Sequence, residues 1–202
     1  MAWVAASRLK FFATELCKER LRLSPKLRGR LLKECYQLRE VDREGRDWSK
    51  ANYPWGYTSY SSASDLPERS SNFGLLREAI NPVVASFVRR LGLRFPTGRL
   101  VMSSCWVNVM GQHASHAFHL HPLSVVSGTY YLKIPGGAPG FRIEDPRIAA
   151  FMASPAREAY VTLKPREGEV LLFESWLKHE VPPNRERADR VSVSFNYDWV
   201  ER

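Results

Sequence analysis

Residues 190–199 alternate without a break: Arg190, Ser192, Ser194, Asn196 and Asp198 share one parity, and Val191, Val193, Phe195, Tyr197 and Trp199 the other. Successive side chains on a β-strand point to opposite sides, so this segment has an apolar face that must be covered. Its polar face is either washed by solvent or turned into the lumen of a barrel. The same grammar runs through the chain after Gly98, as short stretches of β-branched and aromatic residues separated by Gly, Pro and charged turns. Strands are expected at Leu100–Met110, His116–His121, Val125–Ile134, Phe141–Glu144, Ala159–Leu163, Glu169–Glu174 and Arg190–Trp199, with one short helix near Ile148–Ala153. Six or seven short strands point to a sandwich or barrel.

The first half reads differently. Residues 9–20, with Leu9, Phe11, Phe12 and Leu16, suit a strand. From Pro25 to about Glu40, Leu27, Leu31, Leu32, Cys35 and Leu38 recur at three- and four-residue spacing, as on an amphipathic helix. Residues 41–73 are irregular but hold Trp48, Tyr53, Trp55, Tyr57 and Tyr60, which suggests an ordered, aromatic-rich loop. A second helix is expected over Phe73–Leu93, kinked or restarted at Asn81-Pro82. A chain of 202 residues suits one domain, with 1–98 as a helical and loop-rich elaboration and 99–202 as the β core.

Composition narrows the class further. Hydrophobic residues at 44% and charged residues at 25% exclude a disordered or collagen-like chain. No apolar run approaches the roughly 20 residues that cross a bilayer, and no secretory leader is recognisable, so a soluble protein is expected. Three widely spaced cysteines without a CxxC pair suit a reducing cytoplasm. The net charge is +9, and +6 of it falls in the first 50 residues. Between Lys18 and Lys33, seven basic side chains face the single acid Glu19. Such a stripe is either a phosphate-binding surface or a solvated face, and the second is expected here.

Four of the five histidines fall in GQHASHAFHLH, as His113, His116, His119 and His121. On a strand, His119 and His121 point to one side and can present both imidazoles to one ion. The distant His179, after GEVLLFESW, can complete a three-ligand face. Imidazole serves Fe, Zn, Ni and Cu alike, and histidines also serve as hydrogen-bonded structural residues. Strand parity groups Trp106 with Asn108, Ser127 with Thr129 and Tyr131, and Ser194 with Asn196 as candidates for a pocket wall. Tyr130 has the opposite parity and belongs in the core.

In chain order come His119-Leu120-His121, the strand SGTYYLKIP, the turn GG, the strand GEVLLFE, His179, and Arg190-Val191-Ser192. The series resembles the 2-oxoglutarate and Fe(II)-dependent oxygenases, and within them a branch in which HxHP precedes an SGxYY strand. Including DREGRDWSKANYPWGYTSYSS, the resemblance spans most of the chain. It implies a mainly β fold with N-terminal helices (α+β), built on a double-stranded β-helix of the jelly-roll, cupin-like kind. It also implies Fe(II) on His119, His121 and His179, with 2-oxoglutarate and O₂ as co-substrates.

Arg190, 11 residues after His179, would take the far carboxylate of 2-oxoglutarate, and Ser192 would add a hydroxyl. Arg185 and Arg187 are nearer to His179 but lie in the PPNRERAD loop. Tyr131, Ser127 and Asn108 are further co-substrate candidates.

One position departs from the family pattern, since His121 stands where the superfamily carries Asp or Glu. An all-imidazole site would leave the ion at +2, favouring a dianionic co-substrate. Three-histidine iron resembles the site of thiol dioxygenases. The alternatives are another metal, or Asp145 or water as third ligand with His121 behind it; Asp145 otherwise reads as a turn residue. The leading expectation is a dioxygenase that hydroxylates an unidentified substrate and releases succinate and CO₂. A noncatalytic cupin-like module binding a metal and an organic acid comes second, and a basic nucleic-acid-binding protein third. No specific nucleic acid and no membrane partner are expected; self-association stays open, as does the choice among a small molecule, a peptide side chain and a nucleobase as substrate.

Overall fold

The computed structural model describes residues 12–95, 97–148, 152 and 158–201. Among these residues, ten strands and four helices follow one another as β1 (Leu16–Arg20), α1 (Pro25–Val41), α2 (Arg43–Asn52), β2 (Gly56–Thr58), α3 (Leu66–Arg69), α4 (Ser71–Arg90), β3 (Arg99–Met110), β4 (His116–His119), β5 (Val126–Lys133), β6 (Phe141–Glu144), β7 (Tyr160–Leu163), β8 (Glu169–Glu174), β9 (His179–Val181) and β10 (Arg190–Val200). The strands form two antiparallel sheets, β1-β8-β5-β10-β3-β2 and β4-β9-β6-β7. Strands β3 to β10 divide four and four between the sheets, as in a double-stranded β-helix. The two remaining strands, β1 and β2, extend the edges of the larger sheet.

The alternation in β10 sets the layers. Val191, Val193, Phe195 and Tyr197 pack under α1 and α4, with Leu31, Cys35, Leu76, Ile80 and Phe87. Ser24 caps α1 by accepting from the Leu27 N–H, and Pro25 supplies a preset φ at its first turn. The opposite face of β10 turns toward the small sheet, and Arg190, Ser192 and Asn196 are buried there. So the polar face lines a lumen rather than meeting solvent. A second core of Met110, Leu171, Phe173, Phe141 and Ile143 fills the rest of the space between the sheets. Tyr130 packs with the helix-side core, as its parity requires.

Three expectations need correction. The stretch 41–73 is not one loop: Asp42 caps α2 by accepting from the Gly45 N–H, and Tyr57 and Ser62 both donate to the same carboxylate. The helical period of α2 went unread because its apolar positions are few; only Gly45 and Ser49 are buried in it. Helix α4 runs on through Pro82, which lies on its exposed side, rather than restarting there. The strand expected at His116–His121 ends at His119. Residues 9–11 and most of the helix expected near Ile148–Ala153 lie outside the described residues. Among those described, no helix is long and apolar enough to cross a membrane.

Candidate active site

His119 and His179 stand opposite each other in the β4–β9 register. Cross-strand partners share a face, so their ring centroids come within 4.3 Å. His121 lies two residues beyond β4, where its N–H donates to the Ser175 carbonyl at 2.9 Å. That bond turns the ring back, to 5.2 Å from each of the other two. One ligand nitrogen from each of the three histidines lies within 4.8 Å of the other two. Among the described residues no carboxylate joins this group. Asp145 instead faces Arg147 in a turn, with Nε and Nη2 of the arginine on its two oxygens.

The protonation states suit a metal ion. Nδ1 of His119 and Nδ1 of His179 each donate to a backbone carbonyl, those of Ala117 and Leu177, both at 2.7 Å. The tautomer this fixes leaves Nε2 of each ring as the acceptor nitrogen, and that of His179 meets His121 Nε2 at 3.4 Å. Burial, reinforced by the neighbouring histidines, pushes His179 down to about 2 and His121 to about 4. His119 is lowered by burial too, against its own backbone hydrogen bond. Neutral imidazoles are the form that coordinates. Behind them, the Asn196 side chain bonds His121, and Asn196 Oδ1 accepts from Ser127 Oγ at 2.8 Å. Ser127 also bonds Ser175 at 2.8 Å.

Across the same cavity sits Arg190, 1% exposed. Its Nε and Nη2 have no hydrogen-bond partner. The guanidinium carbon lies 5.2 Å from the centre of the Tyr131 ring. The phenol oxygens of Tyr131 and Tyr53 are likewise buried and unpartnered. Burial raises Tyr131 to about 12 while the Arg190 charge pulls the other way, and the same opposition acts on Tyr53. Both phenols therefore stay protonated as donors. A permanent cation and two hydroxyls, all buried and all lacking acceptors, form a receptor for an anion.

Ser192 and Asn108 line this cavity with Trp106, Thr129 and Ser194. Asn108 donates to Ser194 Oγ at 3.1 Å, and its Oδ1 is unpartnered. Ser127 is a correction: its hydroxyl is committed behind the wall to Ser175 and Asn196. Arg185 and Arg187 do not line the cavity.

Sequence reasoning missed Tyr53 and His116. His116 faces the cavity with its ring 4.2 Å from that of Tyr53, and burial pushes it down to about 3. It stands three residues before His119, which is the wrong parity for a regular strand, but the register shifts between them. The extra residue returns both rings to one side, 6.2 Å apart. Phe173 and Phe141 pack against His179 at 4.6 and 4.7 Å. Their strand parity was a usable signal for both.

Residues 104–196 match the family model described as "Putative 2OG-Fe(II) oxygenase". By this match the segment is similar to the 2OG-Fe(II) oxygenases. The fold agrees with that of a prolyl-4-hydroxylase from Pseudomonas putida, at a TM-score of 0.63 and 16% identity over 92% of each chain. HygX from Streptomyces hygroscopicus, solved with nickel and 2-oxoglutarate bound, matches at 0.62 and 13% identity, covering 92% of this chain and 83% of its own. SnoN, a non-heme alpha ketoglutarate dependent epimerase from nogalamycin biosynthesis, gives 0.64 and 15% identity over 91% of this chain and 77% of that one. No protein with a curated description matches the sequence. The matched segment holds the three grouped histidines and Arg190.

Proposed function

We propose that the protein is an Fe(II)- and 2-oxoglutarate-dependent dioxygenase whose metal is held by His119, His121 and His179 and whose co-substrate is anchored by Arg190. The observation that carries this reading is the buried, unpaired guanidinium of Arg190, which faces the same cavity as three neutral imidazoles. A ligand that joins the two must be anionic at one end and metal-chelating at the other. 2-Oxoglutarate has that chemistry. Its remote carboxylate would meet Arg190 and the Tyr131 and Tyr53 hydroxyls, with Ser192 beside them, and its 2-oxo acid end would face the histidines.

When bound, the metal supplies activation of O₂, which the protein's own groups cannot perform. In the overall reaction 2-oxoglutarate loses CO₂ and takes one oxygen atom to become succinate, and a substrate C–H becomes C–OH with the other. The chain's residues orient and desolvate. Backbone bonds at Nδ1 fix the His119 and His179 rings, Asn196 holds His121, and Phe141 and Phe173 exclude water around His179. The neutral triad leaves the ion's full charge uncompensated, which favours a dianionic co-substrate.

The test is spectroscopic and requires no primary substrate. Anaerobic addition of Fe(II) and then 2-oxoglutarate is expected to produce the weak visible charge-transfer band of a chelated 2-oxo acid. Admitting O₂ should then release succinate by slow uncoupled turnover. Iron-loaded protein that gives neither band nor succinate would overturn the assignment in favour of a noncatalytic metal-binding module.

A further inference from the structure

Next to the metal cavity, and sharing Trp106, Asn108 and three histidines with it, lies a second cleft of about 410 Å³. One wall is aromatic, built from Trp48 of α2, Tyr60 after β2, and Trp106, with the Tyr60 and Trp106 rings edge to face at 5.0 Å. The other wall is the unbroken run from Ser115 to Leu120. The run is bulged between His116 and His119 and extends past β4 at both ends, so residues of both parities reach this wall. β4 is the terminal strand of the small sheet and, among the described residues, pairs only with β9. Its other edge carries backbone N–H and C=O groups without strand partners, the Ala117 carbonyl alone being taken by His119 Nδ1.

Among the described residues, no Asp, Glu, Lys or Arg lines the cleft. A phosphate-bearing substrate would find no cation in it, and a polyamine no acid. The basic residues between Lys18 and Lys33 contribute nothing to either wall. The rim is apolar and open, with Trp48 37%, Leu120 46% and Tyr60 51% exposed. An apolar rim beside a free backbone edge matches an extended polypeptide better than a small polar solute.

We propose that the primary substrate is an uncharged, extended peptide segment that adds to the free edge of β4 as a further strand. The proposal rests on the oxygenase reading for its chemistry, but its geometry is independent of it. His119 and His179 already show the rule, being cross-strand neighbours on one face. A peptide residue paired beside His119 would continue that row, its side chain on the same face and its Cβ about 5 Å away. That side chain would therefore be presented to the histidines, while its neighbours rest on Trp48 and Tyr60.

The experiment uses metal-free protein without 2-oxoglutarate. A pool of acetylated, amidated octapeptides randomised over uncharged residues is passed over the immobilised chain, alongside pools enriched in Lys or in Glu. The neutral pool is expected to yield binders that slow amide hydrogen exchange at residues 115–120. Trp48→Ala and Tyr60→Ala should each weaken binding by about tenfold with unchanged thermal unfolding, since both side chains are partly exposed. The proposal is overturned if the neutral pool yields no binder at millimolar peptide, or if only charged peptides bind. It is equally overturned if binders slow exchange elsewhere, or if neutral nucleosides or glycosides occupy the cleft without protecting residues 115–120. Because binding is read without iron or 2-oxoglutarate, failure of the oxygenase assay leaves this result standing, and the reverse holds too.

Discussion

A guanidinium cannot shed its charge, and Arg190 is buried with two of its three nitrogens unpartnered. Burying a cation in that state costs several kcal/mol, which the proposed anionic co-substrate would offset. Arg190→Ala should therefore separate binding from stability. In titrations of metal-loaded protein, 2-oxoglutarate affinity is expected to fall by about one to two orders of magnitude, the worth of a charged hydrogen bond of roughly 1.5–3 kcal/mol. Metal content should stay the same, and the ligand-free variant should melt no lower than the wild type. Unchanged affinity would remove Arg190 from the co-substrate site, and a lower melting temperature would mean that its charge has a protein partner. At the metal end, His121→Asp should retain iron, because a carboxylate reaches the same side of the ion; loss of iron on metal analysis would argue that the imidazole's length is needed. Arg190 was legible in the sequence because the family resemblance points to it and the parity of β10 turns it to the polar face. Tyr53 was not, since nothing local marks a tyrosine in an irregular stretch as the lining of a distant strand's cavity.

At the scale of the element, short apolar stretches bounded by turn residues were read to within a residue or two: Phe141–Glu144 and Glu169–Glu174 match β6 and β8, and Leu100–Met110 falls one residue short of β3. The failures share a cause. Period-two reasoning cannot see a bulge, so it left His116 out of the site and carried the strand on to His121, whereas the β4 ladder shifts register and ends at His119. Period 3.6 likewise cannot see a helix such as α2, whose packing face is made of small and polar residues. The SGxYY strand offers an element-scale test. A Cβ on Gly128 would stand 2.6 Å from Phe195 Cζ and 2.7 Å from the Leu171 carbonyl oxygen. One neighbour is a packed ring and the other is paired backbone, so neither can give way cheaply. Gly128→Ala is expected to cost about 1–3 kcal/mol, seen as a lower denaturant midpoint with unchanged slope. A midpoint equal to the wild type would show that β5 and β10 can separate without penalty.

Over the whole molecule, part of the basic excess near the N-terminus is answered by ion pairs, Lys18 with Glu169 and Arg28 with Glu167. The lumen instead concentrates titratable groups that the fold keeps neutral, and this gives the protein a pH signature. His116, His121 and His179 are depressed to about 3, 4 and 2, whereas in the unfolded chain each titrates near 6.5. Between those limits the unfolded state binds more protons than the folded one. Stability is therefore complete above about pH 6.5 and falls as the pH drops toward the folded-state values, each histidine withdrawing at most about 1.4 kcal/mol per pH unit. Asp42 does not obscure this window. Its carboxylate is lowered below 3.8 by hydrogen bonds from Ser62, Gly45 and Tyr57 despite its burial, so its contribution is lost only at more acid pH. Metal-free protein should accordingly show a melting temperature that declines steadily from pH 7 to 4.5. His116→Gln, which removes one such group without touching the proposed ligands, should flatten that decline relative to its own value at pH 7. A profile level through this range, or a His116→Gln profile as steep as the wild type, would mean that the lumen accepts protons while folded and that the histidines are not held ready as neutral ligands.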